Sequence, residues 1–210
     1  MRNFLIFLQQ ELFYSGKNFS KFLQNILFFL ICCFVFLMLM QGLQGQENKE
    51  LFVQMIIWIS LLFATFFSSS EILQEDFKDG TLEQMIIFCE NFEVYIAAKM
   101  LGAWLIFALP IILISPLLMI MIGFEASQIK GLTSAMIFAS LSISCVSSFC
   151  AGFSVMNNRS PLLAILAMPL LIPVLLLSFA LSVKLLVGIA VFLGVLSVVG
   201  LAKVVKLVVE

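Results

Sequence analysis

Residues 162–202 read LLAILAMPLLIPVLLLSFALSVKLLVGIAVFLGVLSVVGLA, and how that run is divided decides the fold. As one helix rising about 1.5 Å per residue it would measure on the order of 60 Å, twice a bilayer core of roughly 30 Å. Lys184 falls near its middle. Two crossings joined near Ser182 to Lys184 fit better than one, over residues 162–182 and 185–202. A polar turn, Asn157-Asn158-Arg159-Ser160-Pro161, precedes them. Further back, apolar runs of span length cover residues 132–156, 100–123 and 51–70. The run at 22–42 has about the 20-residue length of one crossing, exceeds a signal-peptide core and is followed by no A-x-A-like cleavage site, so it reads as a retained first helix. The expected fold is all-α: a polytopic membrane protein forming one transmembrane domain over residues 1–210, with about six membrane helices.

Composition agrees. The 210 residues are 63% hydrophobic and only 11% charged, with a mean hydropathy of +1.19, whereas a soluble domain carries about 25% charged residues. Net charge is -1 and the 11 basic residues are scattered singly, which excludes the basic patch that nucleic-acid binding needs. There is no histidine, so the commonest general base and metal ligand is missing. Cys32, Cys33, Cys89, Cys145 and Cys150 form no CxxC or other metal or redox spacing. They read as small buried hydrophobes, and no metal site is expected.

Met1 to Tyr14 places Phe4, Leu5, Phe7, Leu8, Leu12 and Phe13 at helical spacing among Arg2, Asn3, Gln9, Gln10 and Glu11. That pattern predicts an amphipathic helix lying along the membrane surface. With six crossings, Arg2, Lys17, Lys21, Lys78, Lys99, Arg159, Lys203 and Lys206 fall on one side, and Lys49, Lys130 and Lys184 on the other. The positive-inside rule then puts both termini in the cytoplasm.

No span holds an Asp, Glu, Lys or Arg away from its ends, whereas ion-coupled transporters need ionisable groups at mid-membrane depth. No phosphate-binding G-x-x-x-x-G-K-[ST] loop occurs either. The chain is therefore expected to be non-catalytic, with any ATP hydrolysed on a separate ATPase. In the span over 132–156, Ser140, Ser144, Ser148 and Gly152 recur every four residues. Such a row of small side chains allows close helix packing, either within the chain or against a second copy or partner. Pro110 and Pro116, and later Pro169 and Pro173, each remove a backbone hydrogen bond and predict kinks, as static bends or as hinges.

The segment 71–98 reads as a cytoplasmic coupling loop. It gathers Glu71, Glu75, Asp76, Asp79, Glu83, Glu90 and Glu93 around Lys78. Asp79-Gly80 is a turn signal, and Thr81-Leu82-Glu83-Gln84 reads as a capping box with Thr81 as N-cap. Leu82, Met85, Ile86 and Cys89 then follow the i, i+3, i+4, i+7 pattern of a short helix with a sticky face. That face is expected either on the membrane or in a partner's groove, and the acidic rim, which repels anionic headgroups, favours a protein partner.

Glu75-Asp76-Phe77-Lys78-Asp79-Gly80-Thr81-Leu82-Glu83-Gln84-Met85 resembles the acidic D-x-x-D-G-[ST]-L-E-Q signature of the heme exporter protein B (CcmB) family. Ala98-Lys99 with Trp104, Leu109-Pro110, Leu113-Ile114-Ser115-Pro116-Leu117 and Met168-Pro169-Leu170-Leu171-Ile172-Pro173 extend the resemblance in the same order and spacing. Two departures stand out: residues 88–93 lack the prolines that follow this helix in many members, and Ala103 stands where many have a histidine. The resemblance implies an ABC-2-like permease of the bacterial inner membrane, serving cytochrome c biogenesis. Its implied partners are the ATPase CcmA, CcmC, CcmD and the heme chaperone CcmE, and Glu71, Asp76, Asp79, Gly80, Thr81, Leu82, Glu83, Gln84 and Met85 are expected to form the ATPase-coupling element. No cofactor is expected on the chain itself: ATP belongs to the ATPase, and heme is a cargo. ATP use either exports heme or frees the heme-loaded chaperone, and a chain offering heme iron only Met, Cys or Tyr favours the second. Two rivals are a non-catalytic scaffold that only tethers partners, and a stand-alone carrier for a small apolar solute.

Overall fold

The computed structural model describes residues 2–16, 19–41, 49–89, 91–157, 161–180 and 182–209. Most of the expected turn at 157–161 lies outside them. The described residues form helices only: α1 (Arg2–Gly16), α2 (Phe19–Gln41), α3 (Lys49–Lys78), α4 (Thr81–Phe88), α5 (Phe92–Ile122), α6 (Ala126–Asn157), α7 (Pro161–Phe179) and α8 (Val183–Val209). Four carry windows long and apolar enough to cross a membrane: Leu51–Ser68, Phe92–Ile122, Ala126–Gly152 and Val183–Lys206. Among the described residues, α2 and α7 contribute the shorter apolar stretches Phe22–Val35 and Pro169–Phe179. Residues 162–202 thus divide between two helices, α7 ending at Phe179 and α8 starting at Val183.

Residues 71–98 are not a loop. Helix α3 continues through the acidic stretch to Lys78, and α5 begins as early as Phe92. With 30 residues and neither Gly nor Pro between Lys49 and Lys78, α3 has no reason to stop at Ser70. It would reach roughly 45 Å, well beyond a core of roughly 30 Å. The polarity change at Glu71 marks where the helix leaves the hydrocarbon, not where it ends. It ends at Lys78, just before Gly80, whose φ of 70° is left-handed, a conformation that costs glycine nothing. Gly80 also serves as N-cap of α4, with no side-chain capping hydrogen bond. Thr81 is already helical, so the expected capping box does not form. The Gln84 amide instead donates to the Gly80 carbonyl at 3.3 Å.

Helix α6 lies at the centre, against α8, α3, α7 and α5. Its small side chains permit this: Ala135, Ala139, Ser140, Ser144, Ser148 and Ala151 are all buried, as is Gly152, which α8 approaches through Leu201. The row Ser140, Ser144, Ser148, Gly152 is therefore enclosed within the chain, leaving no member exposed to a second copy. Buried hydroxyls in lipid must find acceptors. Ser140 donates to Ile137 O at 3.0 Å and accepts the Trp104 Nε1 proton at 2.9 Å, while Ser147 donates to Phe66 O and ties α6 to α3.

The four prolines lie inside α5 and α7, which run through them. Pro116 lacks the N–H that would reach the Ile112 carbonyl, and Ser115 Oγ donates to that carbonyl instead, at 3.0 Å. Next to the Ile106 carbonyl that Pro110 leaves, the Phe107 carbonyl accepts the Asn25 side-chain amide at 3.1 Å. A substitution of the kind Ser115 makes lets prolines persist in membrane helices.

Candidate functional site

The end of α3, the Gly80 turn, α4 and the first turns of α5 form a polar corner at one end of the bundle, and α1 lies across it against α5. Lys99, on the second turn of α5, is buried to 6% exposure. A buried ammonium needs partners. It has two: an ion pair with Asp76 Oδ2, and one with Glu11 Oε2 of α1 at 3.4 Å. Tyr95, one turn earlier, donates its hydroxyl to Asp76 Oδ2 at 3.1 Å. The Phe7 ring packs edge-on against Tyr95, with centroids 5.6 Å apart.

Two carboxylates thus share one ammonium. Burial pushes the Glu11 carboxyl above its ordinary value; Lys99 draws it back, and the neighbouring Asp76 charge adds to the rise. Gly102 makes the approach of α1 possible: a Cβ there would lie 2.7 Å from Glu11 Cγ. Gly102→Leu is accordingly expected to lift α1 from α5. A thiol placed at half-buried Leu8 should then react about tenfold faster with a water-soluble maleimide, the equivalent of about 1.4 kcal/mol of local opening; an unchanged rate would refute the notch.

Between α1 and α4 the corner opens into a cleft of about 550 Å³, with Asp76, Asp79, Thr81, Met85, Tyr95 and Lys99 facing Ile6, Gln10, Glu11 and Phe13. The predicted residues divide here. Asp76, Asp79, Thr81 and Met85 come together on the cleft wall, while Gly80 makes the turn behind them. Glu71 falls in α3, but its side chain is outside the described set. Leu82 is 1% exposed and belongs to the core, with Met85 and Ile86 packed against it. The sticky face of α4 therefore anchors the helix to its own chain. What α4 turns outward is Glu83 and Gln84 with Ile87 and Phe88, exposed to 76% and 81%.

The CcmB protein family profile matches residues 2–210. The chain belongs to the CcmB family. Among its CcmB-family relatives, the Heme exporter protein B of Haemophilus influenzae is 28% identical over 183 residues, which cover 86% of this chain and 80% of that protein. That of Pseudomonas aeruginosa is 32% identical over 123 residues, 58% of this chain and 55% of its own length. The Rhodobacter capsulatus protein is 29% identical over 121 residues, 57% of this chain and 56% of its own.

Sequence reasoning placed Lys99 among the basic residues of one membrane side and in the family resemblance, gave it no site role, and passed over Glu11, Tyr95, Ile87 and Phe88 as site residues. One signal was legible: Lys99 stands between apolar Ala98 and Met100 at the mouth of a span, where a lysine needs a partner or an exit to water. Among the described residues of this CcmB-family chain, no three Cys, Asp or Glu side chains gather where they could hold a metal ion.

Proposed function

We propose that this chain is the membrane-spanning permease subunit of an ABC-type complex of cytochrome c biogenesis, driven by a separate ATPase of the CcmA type. In this reading α2, α3, α5, α6, α7 and α8 cross the bacterial inner membrane, α1 lies on its cytoplasmic surface, and both termini are cytoplasmic. The relatives' name, Heme exporter protein B, supplies the cargo class, and CcmC, CcmD and the chaperone CcmE are the further partners. The chain itself binds no cofactor and hydrolyses nothing. The work stroke serves either heme export or release of the heme-loaded chaperone, and a chain without histidine favours release.

The observation that carries this reading is the construction of α4. An eight-residue helix is rigidly anchored by Leu82 and displays Glu83, Gln84, Ile87 and Phe88 outward, directly after the turn that ends a long membrane helix. Exposed apolar side chains rimmed by carboxylates suit a protein groove. A push on α4 would pass through Leu82 into the bundle and through Gly80 into α3. Asp79→Lys combined with Glu83→Lys should therefore leave insertion intact and reduce ATPase co-purification about tenfold or more, since like charges now face the docking surface. Undiminished co-purification with normal cytochrome c maturation would refute the assignment.

A further inference from the structure

We propose that the cleft between α1 and the α3–α4 turn is a socket for one basic side chain, a lysine or arginine, carried by the ATPase that docks on α4. The proposal rests on the docking role given to α4 above and adds the chemistry of the contact beside it. Among the described residues, the cleft carries Glu11, Asp76 and Asp79 against the ammonium of Lys99. Even with Glu11 protonated, carboxylates outnumber ammonium groups among these described residues. Lys99 is already engaged by Asp76 and Glu11, whereas Asp79 is exposed at the cleft wall and free to receive a cation from outside. The walls suit the rest of such a side chain: Ile6, Phe13 and Met85 offer apolar surface to an aliphatic stem, and the two oxygens of the Asp79 carboxylate match a guanidinium fork or an ammonium. An anionic lipid headgroup is disfavoured by the same charge.

The socket would make α1 a second contact for the ATPase, reporting on the same Lys99 cluster that Asp76 joins from α3. Photo-crosslinking in the assembled complex, in native membranes, tests this. Benzoylphenylalanine is placed at Gln10 on the cleft wall, at Phe88 on the outer face of α4, or at Leu5, an exposed α1 position outside the cleft. Gln10 and Phe88 should both cross-link to the ATPase, and Leu5 should not. Asp79→Asn should lower the Gln10 adduct about fivefold, as expected for loss of a charge contact. Mass spectrometry should place the Gln10 adduct beside a lysine or arginine of the ATPase; changing that base to glutamate should abolish it, and Asp79→Lys in the same complex should restore it. Cross-linking from Phe88 but not Gln10, or a Gln10 adduct on lipid or far from any base, overturns the socket and leaves the docking role standing. Absence of ATPase adducts from both positions overturns the docking role and the socket with it.

Discussion

Lys99→Met should cost the protein the attachment of α1 and, under the function proposed above, most of the cytochrome c maturation that depends on it. In the native chain the Lys99, Glu11 and Asp76 side chains are 7%, 12% and 14% exposed, so none can rely on water for solvation. Removing the ammonium leaves two carboxylates facing each other in a site built for one cation between them. Breaking a buried charge cluster by deleting one partner costs about 3–5 kcal/mol. The methionine fills nearly the same volume, so the loss is electrostatic and not a cavity effect. Glu11 is the group that can yield, by taking a proton or by swinging out with α1. The measurable results are a Leu8 thiol that becomes fully reactive, lowered accumulation in the membrane and, under the proposed function, little mature cytochrome c. Lys99→Met, Glu11→Gln and Asp76→Asn together should restore accumulation, because a neutral, hydrogen-bonded or apolar replacement of a whole buried cluster is often tolerated. Normal thiol protection and accumulation in the single variant would mean that the cluster does not hold α1.

Leu82→Asp should uncouple α4 while leaving every exposed residue of its outer face unchanged. Leu82 is 1% exposed and is the one buried residue of α4, with Met85 and Ile86 packing beside it. Truncating such a leucine costs about 2–5 kcal/mol, and a carboxylate in its place adds the cost of an unpaired charge. An eight-residue helix has no independent stability to set against that, since isolated helices shorter than about 12 residues are marginal in water. A spin label at Gln84 should change from restricted to nearly free motion, and the proposed partner ATPase should no longer co-purify. Phe88→Ser provides the contrast: at 81% exposure it should leave the label restricted and affect only ATPase retention. If the Leu82 variant keeps a restricted label and a bound ATPase, α4 is held by something other than its anchor.

Much of this protein follows from local chemistry. A bilayer selects helices by apolar length alone, so the membrane character, the all-helical class and the division of residues 162–202 could be read from composition and spacing. So could the turn at Asp79-Gly80, because a left-handed residue is written into the glycine itself. Local chemistry misleads where a change in polarity comes without a change in structure, at Ser70 and again before Met100. It also misled at Thr81, where a plausible capping box yielded to a glycine already doing the capping.

What the chain alone did not reveal is which way its faces turn. In α5, α6 and α7 apolar residues are spread around the whole circumference, and lipid tails are as apolar as a protein core, so no stripe announces the packed side. Only the assembled bundle turned the small row of α6 inward. Only assembly turned Leu82 toward the core and Phe88 away from it. The Lys99 cluster joins residues from three helices, with Glu11 and Lys99 separated by 88 positions. No local pattern can express such a pairing, because the need of a buried ammonium for carboxylates fixes that partners must exist, and folding alone decides which ones arrive.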